Sequence, residues 1–156
     1  MKLSDNCSLC TLIESPSDRV IAQDTLTVAV LHDDWAVKGH AMLVWRHHLE
    51  NLSQLYEEDS VHFIKSYCRL ERILLQTLGC DRAIVLKLGL LVPHLHVHVY
   101  PISRNESRDG VMAMIEGRAR HEPAQGEEGA LLATLRLALS ETSDARPPAG
   151  TQIGYV

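Results

Sequence analysis

The residues best equipped for chemistry lie in Pro93-His94-Leu95-His96-Val97-His98-Val99-Tyr100-Pro101. Side chains alternate faces along a strand. His94, His96 and His98 therefore share one face, and Leu95, Val97 and Val99 share the other. The apolar face can seat the strand on a core, leaving three imidazoles in a row on the opposite side. Imidazole titrates near neutrality and can serve as acid, base, nucleophile or metal ligand. Spacing alone does not choose between metal ligation and catalysis, and a solvated surface strand is the plainest alternative. A second group is Cys7-Ser8-Leu9-Cys10. A C-x-x-C pair without a leading apolar signal reads as metal-binding or redox rather than as part of a disulfide framework. Two ordinary buried thiols are the simpler reading. Cys68 and Cys80 are read as packing residues.

These groups need elements to hold them. Arg19 to Gln23 and Leu26 to Leu31 read as strands joined at Asp24-Thr25. His32 to Gly39 reads as a loop and His40 to Trp45 as a strand. From about Ser53 or Tyr56 to Leu78 the pattern is helical, with Phe63, Tyr67, Leu70, Leu74 and Leu78 as the buried stripe. Gly79 is a natural stop. Ala83 to Leu88 and His94 to Pro101 complete about five strands. Their short connections favour antiparallel pairing. Ser103 to Gly110 reads as loop, Val111 to Ile115 as a short element of either type, Glu122 to Gly129 as loop, and Ala130 to Ser140 as helix. Pro147, Pro148 and Gly150 mark an irregular tail. The expectation is an α+β chain with a single domain over 1–142 and a tail over 143–156.

Composition narrows the function classes. The chain has 156 residues, 46% hydrophobic and 22% charged, with a formal net charge of -5. That balance suits an ordinary globular protein and argues against a general nucleic-acid binder, which needs a basic face. No apolar run is long enough to span a bilayer. With no apolar stretch after Lys2, a cytoplasmic location is expected.

The triad strand, with its apolar interleaving, resembles the signature of the histidine-triad (HIT) family of nucleotide hydrolases and transferases. Gly39-His40-Ala41-Met42-Leu43-Val44-Trp45-Arg46-His47-His48 resembles that family's G-H block, and Leu88-Gly89-Leu90-Leu91-Val92-Pro93-His94-Leu95-His96 is similar to the L-G-N-x-V-P-H-L-H form of one bacterial branch. Together the matches cover about residues 7–101. The resemblance implies a HIT-like fold, an antiparallel sheet of about five strands with one long helix and a C-terminal helix. It implies that His96 attacks the α-phosphorus of a nucleotide and forms a covalent nucleotidyl-histidine. His98 would contact the phosphate and aid the leaving group. His40 would pack beside the triad, although a satisfied core or interface histidine fits equally well. It also implies a structural zinc on Cys7, Cys10, His48 and His94, with His47 as the near alternative to His48. A homodimer using the long helix, with apolar Ile64 and Leu75 beside the stripe, is expected.

The sequence departs from the family in the polar surroundings of the triad. Leu90 replaces the branch's Asn, and Leu91 stands where a polar residue is common. Trp45 replaces the Pro of the G-H block. His32 occupies the position that usually binds ribose, with Asp33 beside it as a substitute. Ile102 replaces an Arg, and Arg104 lies two residues further on. The leading expectation is hydrolysis or nucleotidyl transfer on a small-molecule nucleotide, such as a dinucleoside polyphosphate or a nucleoside phosphoramidate. His32, Asp33 and His40 would bind the nucleotide. The alternatives are a non-catalytic nucleotide sensor with a degenerate phosphate pocket and, third, a metal-storage or metal-sensing protein using the nine histidines.

Overall fold

The computed structural model describes residues 6–141. The tail expected over 143–156 lies outside the described residues, as does the boundary at 142. In chain order the elements are helix α1 (Ser8–Glu14), strands β1 (Val20–Gln23), β2 (Thr27–Leu31) and β3 (Ala41–Trp45), a 3-10 turn (Leu52–Gln54), helix α2 (Glu57–Leu78), strands β4 (Arg82–Leu86) and β5 (His96–Ile102), and helices α3 (Arg108–Ile115) and α4 (Glu127–Glu141). The five strands form one antiparallel sheet in the order β1-β2-β3-β5-β4. The chain is therefore α+β, with β5 inserted between β3 and β4.

One face of this sheet carries the core. Leu95, Val97 and Val99 pack with Leu43, Phe63, Leu70, Ile73 and Leu74 and with Leu131, Leu132, Leu135 and Leu139 of α4. The periodic stripe on α2 is thus spent on the sheet: Phe63, Leu70 and Leu74 are buried, with Tyr67 and Leu78 packed at the margin. Ile73 joins them, widening the stripe to the i+3 neighbour. Burying each such side chain contributes roughly 1.5–3 kcal/mol relative to leaving it in water. Gly79 ends α2 with φ 65°, the left-handed cap a glycine adopts without steric cost.

Several boundaries differ from the sequence-based expectations. The segment before β1 contains α1, seven residues that the short apolar run does not reveal. Ser107 caps α3 by accepting a hydrogen bond from the Gly110 amide, so the polar stretch before Val111 opens a helix instead of continuing a loop. Helix α4 begins at Glu127 rather than Ala130, and Glu127 and Glu128 favour its positive N-terminal end. Strand β4 stops at Leu86, leaving Leu88 in the loop that leads to β5. Cys68 is exposed rather than packed. No helix among the described residues is long and apolar enough to cross a membrane.

Gly39 sets the entry to β3. Its φ is 77°, and a Cβ there would stand 2.5 Å from Leu78 Cδ1. The turn that delivers His40 to the sheet is therefore locked against the end of α2 by a residue with no side chain.

Candidate active site and metal cluster

The far face of β5 does not present three equivalent imidazoles. His94 lies just before the strand, where its amide bonds back to Val92 O at 2.8 Å. Its ring turns toward α1. His94 Nδ1 lies 3.5 Å from Cys7 Sγ and 3.5 Å from Cys10 Sγ, and His48 Nδ1 lies 3.3 Å from Cys10 Sγ. Helix α1 makes this possible, because Cys7 at its start and Cys10 one turn on face the same side. All four donor atoms lie within 4.8 Å of one another. A tetrahedral ion with sulfur at about 2.3 Å and nitrogen at about 2.0–2.1 Å sets an S–N edge of about 3.5 Å, which these separations match. His94 Nε2–H donates to Trp45 O at 2.6 Å. A carbonyl only accepts, so the proton sits on Nε2 and Nδ1 is bare toward the thiols. His47 instead sets its ring edge-on to Trp45, at 6.2 Å.

His96 and His98 remain on the open face. His96 Nδ1–H donates to His94 O at 2.6 Å. The same reasoning leaves His96 Nε2 with a free lone pair. His40 Nδ1–H donates to Asp34 O at 3.0 Å, so in the neutral ring Nε2 accepts the proton of His98 Nδ1, 3.0 Å away. His32 lies flat against His40, with centroids 4.3 Å apart and planes 7° from parallel. Its Nδ1 accepts from the Asp34 amide at 3.0 Å and lies 3.2 Å from Asp33 Oδ1. The backbone of one residue, Asp34, thus fixes two rings through its amide and its carbonyl, and the Asp34 carboxylate is itself paired with Arg120. Tyr100 stacks on the other side of His40 at 4.2 Å.

Burial dominates the electrostatics. It holds the His40 imidazole down to about 3, helped by the neighbouring His32 and His98. Burial likewise holds His98 at about 4, with His96 and His32 as further causes. His32 and His94 are also lowered, chiefly by burial. The cluster is therefore neutral at pH 7.

A cavity of about 700 Å³ opens beside these rings. His96, His98, His32 and Asp33 line it, while His40 is buried behind them. Leu9 and Leu12 of α1, Val30 and Met42 form an apolar wall, and Leu88 to Val92 form the rim. Leu90 and Leu91 are 82% and 96% exposed, and their side chains bring no polar group to the site. Arg19 also lines the cavity, its guanidinium bonded to His32 O and to Glu128. Sequence reasoning treats Arg19 only as a strand start, and no spacing marks it. Ile102 is buried, and Arg104 bonds through its backbone to Asp81 and Arg82 instead of lining the cavity.

The neutral cluster has a pH consequence. The unfolded chain protonates His40 near 6.5, whereas the folded ring resists until about 3. Its stabilising effect is complete above the unfolded value and is lost as pH falls toward the folded one, a cost of about 2 kcal/mol at pH 5. In buffer without added metal, the melting temperature of the wild type is expected to drop more between pH 7 and pH 5 than that of His40→Gln. Equal drops would show that His40 is not the group taking up the proton.

Comparison with known proteins agrees with this geometry. The HIT domain family model matches residues 14–105. A search of curated protein sequences gives no match. Among solved structures, the chain is similar to a hypothetical histidine triad nucleotide-binding protein from Sulfolobus tokodaii, at TM-score 0.69 and 18% identity over 86% of this chain and 92% of that one. It is similar to a zinc-bound histidine triad family protein from Mycobacterium smegmatis, at TM-score 0.65 and 21% identity over 87% and 94%. It also matches a HIT family hydrolase from Clostridium thermocellum, at TM-score 0.56 and 18% identity over 68% and 98%. The matched span runs from the end of α1 through all five strands to the turn beyond the triad strand, and on that span the chain belongs to the HIT domain family.

Proposed function

We propose that this chain is a nucleotide hydrolase or nucleotidyl transferase that acts at the α-phosphate of a nucleoside phosphate derivative, a dinucleoside polyphosphate or a nucleoside phosphoramidate. The observation that carries this reading is the bond from His96 Nδ1–H to His94 O. It leaves Nε2 unprotonated beside the cavity, which is the state a nucleophile needs. His96 Nε2 attacks phosphorus, a P–N bond forms, and the bond from phosphorus to the leaving group breaks. His98 gives the departing oxygen or nitrogen a proton. Burial keeps His98 neutral in the free protein, and the negative charge of a bound phosphate favours its protonated form. Water or a second phosphate then attacks phosphorus, the P–N bond breaks, and His96 is restored. His32 and Asp33 stand at the cavity wall to meet the sugar, and His40 positions His98 through their hydrogen bond. The apolar wall of Leu9, Leu12, Val30 and Met42 suits the flat face of a base.

Zinc belongs to the same reading. Cys7, Cys10, His48 and His94 fit a four-ligand structural site with no open position. Bound there, the ion would fix the segment whose carbonyl holds His96. We place the protein in the cytoplasm as a two-fold dimer, using Val61 and Ile64, which α2 leaves 49% and 52% exposed. Leu70 and Leu74 are consumed by the chain's own core. A monomer mass in sedimentation at micromolar concentration would remove the dimer.

A second reading has a specific observation behind it. The side chains of Leu90 and Leu91 at the rim offer no donor to a phosphate, as a nucleotide sensor without turnover would tolerate.

Protein purified without chelator is expected to hold about one zinc per chain, and Cys7→Ser to lose it and melt earlier. Metal analysis that finds none in reduced protein rejects the site. His96→Asn is expected to reduce turnover by several orders of magnitude while nucleoside monophosphate affinity stays within roughly tenfold. His98→Ala should slow substrates with poor leaving groups most. A wild type that binds nucleotides but hydrolyses none of a broad panel supports the sensor instead.

A further inference from the structure

We infer that Arg120 is a positioning residue for the proposed reaction. With His121 and Glu127 it clasps the loop between β2 and β3, and that loop decides which nitrogen of His98 carries a proton. All three residues lie beyond the span matched to the HIT domain. The effect of Arg120 on rate rests on the hydrolase reading; its hold on the loop does not.

The loop closes on itself at its ends, where His32 N donates to His40 O at 2.9 Å and His40 N donates to Val37 O at 3.0 Å. Its middle is held from outside. Arg120 pairs with the Asp34 carboxylate. The His121 amide donates to Trp35 O at 2.7 Å, and the His121 ring stacks on the Trp35 indole at 5.7 Å. Glu127, at the start of α4, pairs with Lys38 at 2.6 Å. The grips therefore fall on Asp34, Trp35 and Lys38. Of these, Asp34 is the residue whose amide and carbonyl bond the His32 and His40 rings.

The consequence reaches His98 through one ring. A carbonyl only accepts, so the bond from His40 Nδ1–H to Asp34 O keeps the proton of neutral His40 on Nδ1. His40 Nε2 must then accept, and His98 gives it Nδ1–H. That leaves His98 Nε2 as the nitrogen that takes a proton and passes it to a leaving group. A loop free to shift Asp34 O would release the His40 proton to Nε2, and two donors would face each other across the bond to His98. The Arg120–Asp34 pair is more than half exposed on both sides. Such a pair adds little to stability, so its loss changes the aim of the loop more than the survival of the fold.

Arg120→Ala is expected to lower kcat by roughly tenfold while KM stays within about twofold, because a small displacement of a reacting group costs rate before it costs binding. The loss should be largest for poor leaving groups, which need the His98 proton most. In a His98→Ala background the same change should cost less than about twofold, since the group it positions is gone. Arg120→Lys should recover most of the rate. Arg118→Ala, which removes a neighbouring cation paired with Glu116, should lose none. No loss in Arg120→Ala, equal losses on good and poor leaving groups, or losses that multiply with His98→Ala overturn the inference. Nitrogen-15 NMR of the imidazoles reads the same geometry without turnover. Wild-type His40 should hold its proton on Nδ1, and Arg120→Ala should move its two nitrogen shifts toward tautomeric averaging. Unchanged His40 shifts overturn the clasp in any case. If the shifts move but the wild type turns over no nucleotide, the hydrolase reading falls and the clasp stands.

Discussion

His94 gives its carbonyl oxygen to His96 Nδ1–H at 2.6 Å and its own Nε2–H to Trp45 O at 2.6 Å, while its Nδ1 faces two thiols. Three requirements meet in one residue. The ring ties the start of β5 to β3 and to α1, and the backbone sets the tautomer of the neighbouring ring. Because His96 takes its orientation from that carbonyl, anything that moves the His94 segment moves the proposed nucleophile. The cysteine cluster is thus remote from the cavity in chemistry yet coupled to it in position, as a supporting layer behind a site should be.

The second constraint is burial of neutral imidazoles. Stacking of His32, His40 and Tyr100 and the bond from His98 to His40 create a packed aromatic layer behind the cavity. Charging a ring there is costly, so the layer stays neutral until something anionic enters. This makes the pocket responsive to its ligand: a phosphate favours a proton on His98. Asp34 anchors the layer through its amide and carbonyl, and Arg120 holds its side chain.

The fold was largely legible from local pattern. Alternation put Leu95, Val97 and Val99 on the core face, and the stripe from Phe63 to Leu78 specified the long helix, because both signals are carried by neighbours in sequence. Helix α1 was not legible, since seven residues give too little period and what makes it matter, the Cys7–Cys10 spacing, reads only as a motif. In the site, residue identities were visible but roles set by distant partners were not. The tautomer of His94 depends on a carbonyl 49 residues away, and Arg19 reaches the cavity from a strand end with nothing in its spacing to mark it. Leu90 and Leu91 were visible as departures from a family pattern, and their near-complete exposure emerges only from the loop's course.

The central claim is that His96 carries the nucleotidyl group. Rapid-quench mass spectrometry after mixing protein with a nucleoside phosphoramidate or a dinucleoside polyphosphate reads this directly. A transient nucleotidyl adduct is expected on the peptide containing His94 to His98, absent from His96→Asn. Substrate consumed with no adduct at any time, or an adduct that persists in His96→Asn, would contradict it.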